Sequence, residues 1–63
     1  MDARQLKRLI RFEVKFEDGS VSHIQISSWD LQNGDHVARI IAREHQDRGE
    51  LRPGNIVSVR RVR

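Results

Sequence analysis

A chain of 63 residues makes one small domain, and with no cysteine it has neither a disulfide staple nor a thiolate site. No apolar run approaches the ~20 residues that span a bilayer, and the N-terminus lacks the apolar stretch of a secretory signal, so the expectation is a cytoplasmic protein without a membrane partner. The net charge of +3 is modest but unevenly placed: residues 1–11 hold four basic residues against one acid, residues 60–63 hold three arginines, and the chain between is acidic.

A domain of this size buries only about 60% of the surface its unfolded chain exposes. Tight packing, a metal or self-association must then support it. Residues 1–8, with Ala3, Gln5, Leu6 and Lys7, have a helix-like composition but are too few to be helical alone. They read as a frayed lead-in or as one turn docked through Leu6.

The first strand is predicted from Leu9 to about Glu17. Ile10, Phe12, Val14 and Phe16 recur at period two with charged residues between them, the pattern of a strand with one buried face. Both phenylalanines of the chain lie here. Asp18-Gly19 then turns the chain into a second strand, Val21 to Ser27. A two-residue turn would put Phe12 opposite Gln25 and send Ile24 and Ile26 to the charged face. A three-residue loop with Gly19 left-handed pairs Phe12 with Ile24 and Ile10 with Ile26, so burial selects it. Val21 is left on the far face beside Lys15.

Ser27 with Asp30 three residues on resembles a capping box and begins a turn over residues 28–32. The main helix is predicted from Asp35, as cap, to Asp47, with Val37, Ile40 and Ile41 as its apolar stripe and Ala38 and Ala42 flanking it. Arg39, Arg43 and Gln46 fall on its wet side, and Gly49 ends it. Trp29 reads as a cover on the core rather than a stacking platform. Pro53-Gly54 suits a type II turn, and Ile56 to Val62 forms a third strand. Its alternation is broken: Val57 and Val59 share one face, Ile56 and Val62 the other. A bulge, or cover on both faces by a partner, would reconcile them.

The fold class expected is α+β, a two-layer β-β-α-β domain spanning residues 1–63. Its sheet is three-stranded and antiparallel in order 2-1-3, with the helix across one face. Order 1-2-3, with the third strand parallel to the second, is the alternative.

In order 2-1-3 the start of the first strand meets the end of the third. Arg4, Lys7, Arg8 and Arg11 would then join Arg60, Arg61 and Arg63 in one patch for an anionic partner. His23, His36 and His45 contain no pair one helical turn apart, so no metal and no cofactor are expected. Ser27, Ser28 and Asp30 are explained by capping, and no catalytic set is named. Two functional readings remain. One is a non-enzymatic protein-interaction or structural module, self-associating or binding another protein through Val21, His23, Ile56 and Val62 at free strand edges. The other is electrostatic binding of DNA or RNA through the joined termini.

Overall fold

The computed structural model describes residues 8–62. Arg4, Lys7, Arg63 and the expected lead-in before Arg8 lie outside the described residues. The elements run β1 (Leu9–Phe16), β2 (Val21–Ser27), a 3-10 turn (Ser28–Leu31), α1 (Val37–Asp47) and β3 (Ile56–Arg61). They form an antiparallel sheet of order β2-β1-β3 with α1 packed on one face.

The first hairpin takes the register that burial requires. Phe12 pairs with Ile24 and Ile10 with Ile26. The loop closes through Phe16 N–H to Ser20 O at 2.9 Å and Gly19 N–H to Phe16 O at 3.0 Å, with Gly19 at φ 90°. Asp18 stiffens the turn by accepting from the Ser20 amide at 2.9 Å and the Ser20 hydroxyl at 2.6 Å. Phe12, Val14, Phe16, Ile24 and Ile26 are buried together on the helix side, while Val21 is exposed on the other face.

β3 carries the bulge its broken alternation called for. Phe16 pairs with Ile56 and Lys15 with Ser58, so Val57 has no partner on β1. Inserting that residue returns Ile56 to the face shared by Val59, and both pack on the core. Val57 and Val62 stay exposed.

Four details depart from the expectation. First, α1 begins at Val37 rather than Asp35, and its start has no side-chain cap. The Asp35 carboxylate is taken by Arg61, whose Nη2 donates at 2.6 Å and Nε at 3.0 Å. Second, the buried stripe of α1 is Ala38 and Ala42, both fully buried, with Val37 and Ile41 half-buried beside them. Ile40 is 58% exposed; at ~100° per residue it lies roughly 160° around the helix from either alanine. The bulky side of this interface is the sheet, where Phe12 and Phe16 fill the layer, so α1 presents its smallest residues to them.

Third, Trp29 is half exposed, and Leu31 and Leu51 close the core instead. Ser27 Oγ accepts from the Trp29 amide at 3.1 Å, and the tight 3-10 turn that follows carries Leu31 inward. Fourth, Gln46 does not simply face water. Its Nε2 donates to Arg52 O at 3.0 Å and Gly54 O at 2.9 Å, which ties the 52–54 loop to the helix. The helix ends as expected at Gly49, whose φ of 77° permits Glu50 N–H to reach His45 O at 2.8 Å and Gly49 N–H to reach Gln46 O at 3.0 Å.

Replacing Phe12 by Ala is expected to cost about 3–5 kcal/mol and Ala42→Leu about 1–3 kcal/mol. Ile40→Ala should change stability by less than about 0.5 kcal/mol. Urea denaturation of the three variants checks this. An Ile40→Ala cost as large as that of Phe12→Ala would contradict an Ala38–Ala42 packing face.

Candidate interaction surfaces

The two faces of the sheet receive different residues by strict alternation. Arg11, Glu13 and Lys15 of β1, Val21, His23 and Gln25 of β2, and Ser58 and Arg60 of β3, with Val62 just after it, occupy the face away from α1. His23 stands opposite Glu13 on one side and Arg60 opposite it on the other. Arg11 lies opposite Gln25, and its carbonyl accepts the Val62 amide at 2.9 Å.

This alternation divides the expected basic patch. Antiparallel pairing does bring the start of β1 beside the end of β3, and Arg11 and Arg60 share the open face. Arg8 immediately precedes β1, with its carbonyl bound to the Ser28 amide at 2.8 Å. Arg61, however, pairs with Phe12 and so belongs to the helix face. There its guanidinium lies 5.8 Å from the Phe12 ring centroid and grips Asp35 in a two-pronged ion pair. The Asp35 carboxyl is held below its ordinary range, first by the hydrogen bonds from Arg61 and then by its charge. Arg61 is pushed up by the same partner. The residue counted towards an anion patch therefore has a partner within the fold.

The candidate interface set is divided in the same way. Val21, His23 and Val62 are exposed, whereas Ile56 is drawn onto the core opposite Phe16 by the bulge at Val57.

The two sheet edges also differ. Phe16 bonds Ser20 and Arg8 bonds Ser28, so the antiparallel alternation turns the N–H and C=O of Val21, His23 and Gln25 away from β1. β2 contains no charged residue, no proline and no bulge. β3 is blunted by its bulge, by Arg60 and Arg61, and by Arg39, whose Nη2 donates to Ile56 O at 2.9 Å. Beside β2 a groove of about 390 Å³ runs between the strand and α1. Ile26, Val37, Ile40 and Ile41 supply its apolar lining, and Asp30, Glu44, His45 and Arg48 bring both signs of charge to it. His45 is half-buried, with Nδ1 3.5 Å from Glu50, which also accepts from Arg48.

Among the described residues no group of His, Asp and Glu is arranged to hold a metal ion, and no helix is long and apolar enough to cross a membrane. Compared with family models, with curated proteins and with solved structures, the chain finds no match.

The depressed carboxyl of Asp35 makes stability depend on pH with a definite sign. A carboxylate more acidic in the folded than in the unfolded state stabilises above its unfolded pKa, and that stabilisation is lost as pH falls through the folded value. Asp18 behaves likewise, its carboxyl lowered first by the Ser20 hydroxyl bond and then by the Ser20 amide. Asp35→Asn should therefore be less stable than the parent at neutral pH, and the gap should close as acid protonates Asp35 in the parent. Thermal melts at neutral and acid pH measure it; a gap that does not change with pH would assign the difference to shape rather than charge.

Proposed function

We propose that this chain is a non-enzymatic protein-interaction module that pairs with a second copy of itself through the free edge of β2. The observation that carries the reading is the contrast between the two edges. β3 has the devices that discourage strand addition, and β2 has none of them. An uncharged strand laid antiparallel on its own copy about a twofold axis sets no like charges opposite each other. The neighbouring groove favours the same occupant, because its apolar lining includes the exposed Ile40 and its charged residues are of both signs. A copy could answer each with its opposite. Such pairing would continue the sheet from three strands to six and supply burial that a chain of 63 residues lacks by itself.

A second reading has its own support. Arg11, Lys15 and Arg60 lie on the open sheet face with Glu13 as the acidic residue among them, a surface suited to a phosphate backbone. Joined sheets would place two such faces side by side.

The parent protein is expected to dimerise reversibly in light scattering or sedimentation across the micromolar range. Gln25→Pro removes an outward N–H without touching the β1 pairing, and His23→Lys faces Glu13 within the chain but adds a charge to the edge. Both should be monomeric with unchanged circular dichroism. A parent monomeric throughout, or variants that still dimerise, would reject the β2 edge. Titration with short DNA and RNA at several salt concentrations tests the second reading, which requires affinity that falls steeply with salt.

A further inference from the structure

On the flank of α1 away from the β2 groove, the helix and the 54–56 segment enclose a recess of about 240 Å³. Among the described residues it is lined by Arg39, Arg43, Gln46, Gly54, Asn55 and Ile56, none of them a carboxylate. Arg39 and Arg43 stand one helical turn apart. A like-charged pair at that spacing opposes the helix unless something between the two neutralises it.

Among the described residues nothing does so. Asp35, one turn before Arg39, is occupied by Arg61, and Asp47, one turn after Arg43, does not line the recess. Arg43 makes no ion pair or hydrogen bond among the described residues. Arg39 gives one hydrogen bond to Ile56 O through Nη2, which anchors its guanidinium at the wall and leaves its other donors available. The Nε2 of Gln46, also in the lining, donates to Arg52 O and Gly54 O and so fixes that segment against the helix. The backbone N–H groups of Gly54 and Asn55 donate to no residue among those described.

We propose that this recess is a binding site for a phosphate group, gripped by Arg39 and Arg43 with the Gly54–Asn55 segment as its far wall. Two guanidinia can each present paired N–H donors to a tetrahedral oxyanion, and an arginine anchored at one donor loses less freedom on binding. The site is independent of the β2 edge: it lies on the other flank of the helix and needs no second copy. Arg8, Arg11, Arg60 and Arg61 do not line it. The phosphate could be free in a small molecule or part of a nucleic-acid backbone, and the chemistry of the recess is the same for both.

The test is a nitrogen–proton correlation titration of the full chain with pyrophosphate and, separately, with a short single-stranded oligonucleotide, against sodium chloride at matched ionic strength. The expected result is a saturable shift of the Gly54, Asn55 and Ile56 amides and the Arg43 side chain. Arg43→Glu should weaken it by about tenfold or more without lowering the thermal midpoint, since Arg43 makes no hydrogen bond or ion pair among the described residues and the change relieves the like-charged pair with Arg39. Arg39→Lys should weaken it while the fold persists. Saturation by pyrophosphate alone would assign a small phosphate compound, and by the oligonucleotide alone a nucleic-acid backbone; either supports the site. No saturable shift with either probe, or the same shift in Arg43→Glu, would overturn it.

Discussion

Burial of one face of β1 is the constraint on which the rest of the structure depends. Phe12, Val14 and Phe16 point to the same side of the central strand and are shielded almost completely. No single neighbour can cover them. β2 contributes Ile24 and Ile26, β3 contributes Ile56 and Val59, and α1 lies across the top with Ala38 and Ala42 in the same buried cluster. The Phe side chains set the thickness of the layer, and the alanines let the helix approach it. Even the chain reversals serve that face, since Leu31 enters from the 3-10 turn and Leu51 from the segment after Gly49.

With so little core to share, polar groups at the periphery take on positioning roles. Arg61 leaves the sheet edge over Phe12 and holds Asp35 before the first turn of α1. Arg52 does the same at the other end, 5.2 Å from the Phe16 ring centroid and 3.2 Å from Asp18. Gln46 ties the intervening loop down from the helix. Each cation stands over a core aromatic and meets a carboxylate, so its aliphatic stem covers apolar surface while its charge stays in water. These pairs are exposed and individually weak. Their value lies in fixing where the helix ends sit relative to the sheet.

The same economy governs which surfaces remain for partners. Arg61 and Arg52 have acidic partners within the fold in Asp35 and Asp18, whereas Arg11 and Arg60 lie on the open face and Arg39 and Arg43 on α1. The bulge that tucks Ile56 inward also blunts β3, so burial and edge protection are met by one extra residue. β2 needed no such correction, because its alternation was already regular, and its edge stays open as a result.

The sequence by itself favoured strand order 2-1-3 over 1-2-3, and it determined the strands and the hairpin register. Those follow from local period and burial: Phe12, Val14, Ile24 and Ile26 can share one face only if Gly19 closes a three-residue loop. It also marked the trouble in β3, since Ile56 and Val59 cannot share a face without an inserted residue. Only the tertiary structure decided the rotation of α1, because Val37, Ile40 and Ile41 form as good a stripe as Ala38 and Ala42 until the bulk of Phe12 and Phe16 is set beneath them. It alone placed Arg61 with Asp35, residues far apart in the chain that no spacing relates, and it alone enclosed Arg39 and Arg43 with the Gly54–Asn55 segment. Local periodicity reports which side of an element is apolar. Which charged groups meet depends on how the layers dock, and that is set by the summed volume of side chains from every element at once.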